Sequence, residues 1–292
     1  MKQTLFLISF LLIFSCSKEE VELLHVDEIV NVSLGINNFK TKAGYDQNAQ
    51  GTFDPYWDID DKLILRATDT KFHDNSFYVT KGGTSGKIEG KIQTWRGKKN
   101  LYAFYPYNTL SPFANQFNYV SSSSINVGEK DPMDNMVLVA VHKNAEFKNG
   151  ELNVKHLRFK QAMSFLKFEL EDLKDLKLIG ITLRDDHNRL YPNCNIIIDT
   201  NCEFKYDYQN GSIATNSIYK NVNDYSKGTN LFINFEVIPT TMVRPEIVLH
   251  VQDSEGNIHK YLKPLIENLE FKRNVFNYFG EPLNIHADFT KI

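Results

Sequence analysis

The chain is poor in cysteine, proline and tryptophan and carries no excess of charge of one sign. Its 292 residues include three Cys, nine Pro, two Trp and fifteen Gly. So few cysteines exclude a disulfide-dense miniprotein, and so little glycine and proline exclude a collagen-like chain. The 33 Lys and Arg residues nearly balance the 36 Asp and Glu residues, for a formal net charge of −3. Because nucleic-acid-binding domains usually carry a basic field, we expect no nucleic-acid partner.

Recognisable catalytic and cofactor-binding motifs are missing as well. The eight His residues are scattered without an H-E-x-x-H pair, and neither G-x-S-x-G nor a phosphate-cradling glycine loop occurs. The sequence does not decide whether two carboxylates pair for glycoside hydrolysis, because such pairs form in space rather than in sequence. We therefore expect a protein that is not an enzyme and that uses no cofactor or metal.

The N-terminus has the pattern of an export signal. Lys2 precedes an apolar run over residues 5–14, which is too short to span a bilayer as a mature helix. Residues 13–16 (IFSC) resemble a bacterial lipobox, which implies removal of residues 1–15 and lipidation of Cys16. Residues 17–20 (SKEE) resemble the acidic export tag of surface lipoproteins in the Bacteroides group. We expect a surface-exposed lipoprotein of the outer membrane; the alternative is a secreted protein with a chance cysteine at the cleavage site.

The two remaining cysteines, Cys194 and Cys202, flank an apolar run and a turn-like Asp-Thr-Asn segment. A short hairpin there would bring them within bonding distance, and an exported protein can keep a disulfide. Two buried free thiols are the alternative, and both remain open. Zinc binding is less favoured, because no His or second Cys pair lies at a suitable spacing.

Period-2 alternation of apolar and polar residues predicts many short strands. Residues 16–29 are polar and unpatterned, which indicates a tether, and then Val30, Val32, Leu34 and Ile36 alternate with polar or small residues. Many short strands without long helices indicate a sandwich or barrel. The spacing of Leu166, Leu170, Leu173 and Leu176 also permits one short helix. Further strands are predicted over residues 63–67, 77–80, 87–95, 101–105, 136–141, 152–154, 164–170, 178–183, 196–198, 231–238, 246–251 and 275–279.

Two clusters offer a choice between a binding site and a structural role. Acidic residues surround Trp57 at positions 54, 58, 60 and 61, but they lack the glycine and glutamate of a calcium loop, so a solvated turn is favoured. The aromatic residues between Tyr102 and Tyr107 fit either a sugar or peptide platform or a central strand that fills the core.

Five segments carry patterns that follow one another in a fixed order: 57–65 (WDIDDKLIL), 102–107 (YAFYPY), 134–140 (DNMVLVA), 159–166 (FKQAMSFL) and 271–279 (FKRNVFNYF). They resemble the W-x-x-G-D-x-I-x-V, Y-A-x-Y-P, D-x-M-x-x-A, F-x-H-A-x-S-x-L and F-x-x-G-x-x-Y-x-Y patterns of the fimbrillin or Mfa-like pilus subunits of Bacteroidales. The chain departs from the family pattern at Asp60, Gln161 and Asn274, where Gly, His and Gly are usual, so it resembles a divergent member.

The resemblance implies an all-β fold with two transthyretin-like β-sandwich domains in tandem. It divides the chain into a signal peptide (1–15), a tether (16–29), an N-terminal domain (30–156) and a C-terminal domain (157–292). It further implies lipoprotein export, proteolytic loss of an N-terminal strand and assembly by donor-strand exchange, in which a strand of one subunit completes the sheet of the next.

The function implied is that of a cell-surface fimbrial (pilus) subunit or accessory lipoprotein that serves adhesion. Its partners would be other pilus subunits, the outer membrane through the lipid, and a receptor on a host or bacterial surface. The alternative is a surface glycan-binding lipoprotein with exposed aromatic readers. Burial of Trp57, Trp95 and the aromatics of 102–107 would exclude a sugar platform made from them.

The strand over residues 30–39 is the expected removable segment. Its four apolar side chains, each worth about 1.5–3 kcal/mol when buried, contribute roughly 6–12 kcal/mol before entropic costs. Lys40 and Lys42 follow it as candidate cleavage sites for a basic-specific protease. The alternative is that the strand stays as the first strand of the sandwich. Near the end of the chain, a donor strand could use only four apolar residues: Leu283, Ile285, Phe289 and Ile292. We therefore expect the protein to accept a strand from another subunit more than to donate one.

Overall fold

The computed structural model describes residues 28–38, 42–44, 57–68, 75–83, 85–107, 113–121, 123–128, 137–171, 173–208, 214–223, 231–273, 275–278 and 281–292. All regular structure in these ranges consists of β-strands, which confirms the predicted all-β class. Within the same ranges there is no helix with the length and apolarity needed to cross a bilayer.

Twenty-four strands follow one another in the described ranges. The first twelve are β1 (Ile29–Asn38), β2 (Lys42–Gly44), β3 (Lys62–Ala67), β4 (Ser76–Lys81), β5 (Ser85–Gln93), β6 (Lys99–Tyr105), β7 (Gln116–Val120), β8 (Ser124–Gly128), β9 (Leu138–Ala145), β10 (Phe147–Lys148), β11 (Glu151–Leu152) and β12 (His156–Gln161). The second twelve are β13 (Ser164–Leu170), β14 (Lys177–Arg184), β15 (Asn193–Ile198), β16 (Phe204–Asp207), β17 (Ser217–Asn223), β18 (Leu231–Val237), β19 (Thr240–Val243), β20 (Glu246–Gln252), β21 (Ile258–Pro264), β22 (Asn268–Phe271), β23 (Val275–Tyr278) and β24 (Thr290–Lys291).

Seven strands are hydrogen-bonded into a closed barrel in the order β1-β12-β9-β6-β3-β4-β5. Neighbouring strands are antiparallel except β1 and β12, which run parallel. β1 completes the ring because it pairs with β5 on one side and with β12 on the other. β1, the first strand that the structure describes, is therefore also the strand that closes the barrel.

A second sheet has ten strands in the order β2-β23-β13-β18-β8-β17-β14-β20-β21-β24. A three-stranded sheet, β16-β15-β7, and two two-stranded sheets, β10-β11 and β19-β22, complete the described structure. Period-2 alternation explains why these segments form strands. On β20, for example, Ile247, Leu249 and Val251 all point into the core.

Buried apolar side chains form two clusters. The first is built by the barrel strands and includes Leu65 and Phe104, together with Ile196 and Ile198 of β15. It is therefore packed between the barrel and the small sheet of β7, β15 and β16, a layered arrangement of the kind found in sandwiches. The second cluster lies on the ten-stranded sheet and includes Phe168, Phe235 and Leu249 as well as other apolar side chains.

Strand pairing crosses residue 157 in several places. β12 belongs to the barrel, β7 pairs with β15, and β8 lies between β17 and β18. Strands from both halves of the sequence thus contribute to shared sheets. The division into domains 30–156 and 157–292 stays a prediction.

The helical alternative for the leucine-rich segment is wrong. Leu166 and Leu170 lie in β13, which pairs with β18 along its whole length, and Leu173 follows in a turn closed by the Leu176 amide bonding to the Leu173 carbonyl at 3.0 Å. Both leucines of β13 are buried, so the tertiary core decides the conformation of a segment whose local spacing is ambiguous.

Candidate functional site

β1 carries one row of inward-facing apolar side chains. Val30 and Val32 are partly buried against the first core, and Leu34 and Ile36 are 2% and 0% exposed. The alternate side chains face outwards: Ile29 is 59% exposed, and Asn31 and Ser33 are exposed too. The strand predicted from its alternation is confirmed, with the expected side chains on the core side.

The two neighbours of β1 differ in length and direction. The antiparallel pairing with β5 runs from Ile29 to Asn37, whereas the parallel pairing with β12 runs only from Gly35 to Asn38. Two further backbone bonds support the ends, from the Gly35 amide to the Lys155 carbonyl at 2.9 Å and from the Thr94 amide to the Glu28 carbonyl at 2.8 Å.

The inner face of β5 matches the apolar row of β1. Ile36 and Val32 lie opposite Gly86 and Gly90, whereas Leu34 and Val30 lie opposite Ile88 and Ile92. A Cβ on Gly86 would come within 2.6 Å of the Lys81 carbonyl and 3.0 Å of the Ile36 side chain, so the glycine leaves room for Ile36. We call the surface of β5 and β12 that holds β1 the β1 seat. The alternation G-x-I-x-G-x-I in β5 was the available sequence signal for it, but strand prediction alone does not reveal that these residues hold β1.

The aromatic residues proposed as sugar readers are mostly core residues. Trp57, Trp95, Tyr102 and Phe104 are at most 3% exposed. The Trp57 ring packs edge-on against Phe159 of β12 at 5.0 Å and against Tyr105 at 5.4 Å. A sugar platform made from these aromatics is therefore excluded, and the Tyr102–Tyr107 segment serves mainly as the central strand β6.

The acidic segment after Trp57 forms a turn. The Asp58 amide donates to Asp61 Oδ2 at 2.9 Å, and the Tyr105 hydroxyl donates to Asp61 Oδ1 at 3.1 Å. Burial raises the pKa of Asp61. In the part of the chain that the structure describes, no three His, Cys, Asp or Glu side chains converge on a metal position.

Two departures from the family patterns have a local explanation. Asp60 has a φ of 75°, the left-handed conformation for which glycine is the usual residue. Gln161 is 1% exposed, and its Oε1 accepts hydrogen bonds from the Ala162 and Met163 amides at 2.8 and 3.2 Å. Asn274 lies outside the described residues.

The predicted lipidation and processing positions are only partly described. Cys16 and Lys40 lie outside the described residues, so both remain predictions. The Lys42 backbone belongs to β2, where it pairs in parallel with Val275 of β23. A protease that cuts after Lys42 would have to open this pairing, because proteolysis requires an unpaired, extended backbone.

Cys194 and Cys202 are separate, buried free thiols in the structure, which contains no bridge between them. Their exposures are 3% and 8%. Burial, together with the charge of Asp207, raises the pKa of Cys194 to about 12, and burial also raises the pKa of Cys202. Both thiols are therefore neutral and unreactive near pH 7.

The C-terminal residues are folded onto their own core. Leu283, Ile285 and Phe289 are buried in the second cluster. The Leu283 amide donates to the Glu169 carbonyl at 2.8 Å, and β24 pairs with β21. Residues 281–292 are thus an integral part of the second sheet.

The fold resembles crystal structures of two Bacteroides proteins. A candidate cell adhesion protein from Bacteroides ovatus superposes with a TM-score of 0.51 at 13% identity, over 91% of this chain and 96% of that one. A candidate cell adhesion protein from Bacteroides uniformis gives a TM-score of 0.50 at 11% identity, over 89% and 95% of the two chains. No protein-family model and no curated protein matches the chain. At these identities the likeness shows a shared fold.

Proposed function

We propose that the chain is a surface lipoprotein subunit of an adhesive fimbria and that the seat of β1 is its assembly groove. The observation that carries this proposal is the position of β1, which closes the barrel between β5 and β12 and fills it with one apolar row. The likeness to the two candidate cell adhesion proteins supports the adhesive role.

Loss of β1 would leave a groove suited to another strand. The backbone groups of β5 and β12 would lose their partners, and unpaired edges capture extended segments. The positions of Leu34 and Ile36 would become apolar pockets, each worth about 1.5–3 kcal/mol to a matching side chain. A donor strand from another subunit would restore both the hydrogen bonds and the burial.

The route to this state begins with export and anchoring through Cys16. Cleavage after Lys40 or Lys42 would then release β1 together with the lipid. Because residues 281–292 bury three apolar side chains in their own second core, they would have to unfold to act as a donor. We therefore assign the chain the acceptor role in this pairing, with the donor strand supplied by another subunit.

A reversible disulfide lock tests the proposal. Ser33 faces Glu89 across β1 and β5. The Thr94 amide bonds to the Glu28 carbonyl, so Glu28–Thr94, five residue pairs away from Ser33–Glu89, is a hydrogen-bonded pair. Because the two types of pair alternate along an antiparallel ladder, Ser33–Glu89 is a non-hydrogen-bonded pair with closely spaced Cβ atoms. We expect oxidised Ser33→Cys/Glu89→Cys to tie β1 to β5, so that subunits from sheared cell-surface material remain monomeric on gels run without boiling. Reduction before assembly should restore high-mass species.

A matched lock separates blocked exchange from a general effect of oxidation. Gln252 and Ile258 face each other across β20 and β21 and form the same type of pair, since the Asp253 amide bonds to the Asn257 carbonyl. Oxidised Gln252→Cys/Ile258→Cys should assemble like the wild type. Normal assembly of the oxidised Ser33–Glu89 lock would contradict the proposal.

Glycan binding remains the second candidate function, because the outer barrel face has a suitable surface. The outward residues of β1, β4 and β5 line an open depression of about 790 Å³ that includes Asn31, Tyr78, Glu89 and Lys91. Tyr78 is 45% exposed, and aromatic rings bind sugar faces. Binding of the wild type to an immobilised glycan array, lost in Tyr78→Ala and kept in Tyr219→Ala, would favour this function; Tyr219 is equally exposed on the second sheet.

A further inference from the structure

We infer that a Gly-Ile step, residues 35 and 36, is the recognition element of the β1 seat and selects the strand that can occupy it. The inference rests on the proposed function and names the chemistry of the partner: an extended segment with alternating apolar residues in which a glycine directly precedes a large apolar residue. Two contacts, one on each face of β1, carry it.

On the outer face, Gly35 lies directly beneath His156 of β12. A Cβ added at residue 35 would come within 2.2 Å of His156 Nδ1 and 2.6 Å of Cε1. This is far below any van der Waals contact, so the exposed His156 side chain must rotate away before another side chain can enter. The parallel β1–β12 pairing begins at this residue pair, so the His156 ring lies where the pairing of the two strands starts.

On the inner face, Ile36 fills the space that Gly86 leaves open. Ile36 is 0% exposed, and the position of a Cβ on Gly86 is 3.0 Å from Ile36 Cγ1 and 3.1 Å from Cδ1. A smaller side chain at position 36 would leave a cavity, and loss of buried methylene groups is costly in proportion to that cavity. The seat therefore requires a small residue and a large apolar residue in succession.

The same two contacts fix the register. A slip by one residue turns the apolar row of β1 outwards. A slip by two residues keeps the apolar row inwards but places Ser33 or Asn37 beneath His156, and Gly35 is the only glycine of Ile29–Asn38. The slip by one residue is disfavoured because it turns polar side chains into the core. The slip by two residues is disfavoured because a side chain would collide with the His156 imidazole.

The pattern also bears on self-assembly. Residues 281–292 (EPLNIHADFTKI) contain no glycine, and Gly280 precedes Glu281 instead of an apolar residue. This segment does not fit the seat, in addition to being folded onto its own core. The partner is therefore a strand with a different sequence from the C-terminal residues of this chain.

Strand exchange with labelled peptides tests the inference. The full-length chain with Cys16→Ser receives a site-specific protease sequence between Phe39 and Lys42, is cut there, and is incubated with fluorescein-labelled peptides that copy residues 29–38. We expect the native peptide to replace β1 and to co-elute with the chain in gel filtration. A Gly35→Val peptide should be incorporated about tenfold less and an Ile36→Ala peptide about thirtyfold less.

Matched controls isolate the two contacts. Peptides with Ser33→Val or Ile29→Ala change exposed side chains of the same strand and should exchange like the native peptide. In a chain with His156→Ala, the Gly35→Val peptide should regain most of its incorporation, because the obstacle is gone. A peptide that copies residues 280–292 should not co-elute.

The outcomes separate the two proposals. If the native peptide exchanges and the Gly35→Val and Ile36→Ala peptides exchange equally well, the recognition element is wrong while strand replacement stands. A Gly35→Val defect that His156→Ala does not relieve likewise contradicts the steric role of His156. If the native peptide never replaces β1, strand replacement itself is wrong, and the recognition element falls with it.

Discussion

At the scale of single residues, backbone conformation and burial explain positions that the sequence alone makes look irregular. Asp60 is the clearest case, because its φ of 75° places a non-glycine residue in the left-handed region. That conformation costs an L-residue about 1 kcal/mol relative to glycine. The turn therefore has the backbone geometry that glycine usually adopts, although the residue is Asp60.

Replacing Asp60 by glycine should stabilise the protein. We expect Asp60→Gly to raise the free energy of unfolding by about 0.5–1 kcal/mol, since relief of the left-handed strain exceeds the added entropy of the unfolded chain. Asp58→Gly is the matched control in the same turn; without a positive φ it should lower stability. Urea denaturation measures both, and a destabilised Asp60→Gly variant would contradict the strain at this residue.

The buried thiol of Cys194 predicts a stability loss in alkali. The thiol has an ordinary pKa near 9.0 in the unfolded chain and one of about 12 in the folded protein. Between these values the unfolded state has lost the proton that the folded state keeps, so stability falls as the pH rises from 9 towards 12. The loss is about 1.4 kcal/mol per pH unit for one proton.

Cys194→Ala removes this contribution and serves as the comparison. Denaturant unfolding at pH 8 to 11 should show a slope shallower by about 1.4 kcal/mol per pH unit above pH 9. Burial is the largest cause that raises the pKa values of Tyr206 and Tyr208, so most of their contribution is common to both proteins. Equal slopes would contradict a free buried thiol at position 194 and favour a Cys194–Cys202 bridge.

At the scale of strands, much of the fold could be predicted, because apolar residues recur at every second position in β1, β5 and β20 and form short apolar runs in β3 and β14. β8 and β17 were not predicted. β8 offers only two apolar residues, Ile125 and Val127, and on β17 the buried position between Ile218 and Val222 is Lys220. The parallel pairing of β1 with β12 could not be predicted either. It joins residues about 120 positions apart, and no local pattern encodes such a contact. The pairing of Gly35 with His156 was hidden for the same reason.

The ion pair between β17 and β18 should be essential to the second sheet. Lys220 Nζ lies 3.0 Å from Glu236 Oε1, with exposures of 0% and 3%, and burial lowers the pKa of Lys220. Lys220→Met leaves the carboxylate buried without its cation, so we expect a loss of about 3–5 kcal/mol. Lys220→Met/Glu236→Leu should recover most of it.

The exposed pair Lys87–Glu89 on β5 provides the control for this experiment. Its atoms are as close, at 2.7 Å, but the side chains are 50% and 48% exposed. Lys87→Met should cost less than about 1 kcal/mol in the same unfolding assay. A Lys220→Met variant as stable as Lys87→Met would show that the buried pair does not support the sheet.

At the scale of the whole molecule, the proposed assembly combines a lipid anchor, a removable first strand and a folded C-terminal sheet. The closed barrel leaves β5 and β12 without an open edge, because β1 pairs with both. In the proposed assembly this protection would end when β1 is removed. The C-terminal residues protect the second sheet through β24 and the buried Leu283, Ile285 and Phe289.

Anchoring through Cys16 predicts a change in membrane partitioning. Two or three acyl chains hold a protein stably in a bilayer, whereas the remaining N-terminal segment does not. We expect the precursor with β1 still attached to enter the detergent phase and the Cys16→Ser variant to stay in the aqueous phase or unprocessed. Ser15→Thr, which keeps the cysteine, is a control for a general export defect. Unchanged detergent partitioning of Cys16→Ser would refute lipidation at this residue.

The N-terminus of the assembled protein shows whether β1 is removed. Surface fibres are sheared from cells, high-mass species that resist detergent without boiling are isolated, and the first residue of this chain in them is read by mass spectrometry. We expect the chain in those species to begin after Lys40 or Lys42 and to lack β1. A chain that still begins at Cys16 and retains Ile29–Asn38 in the assembled species would contradict the removal of β1.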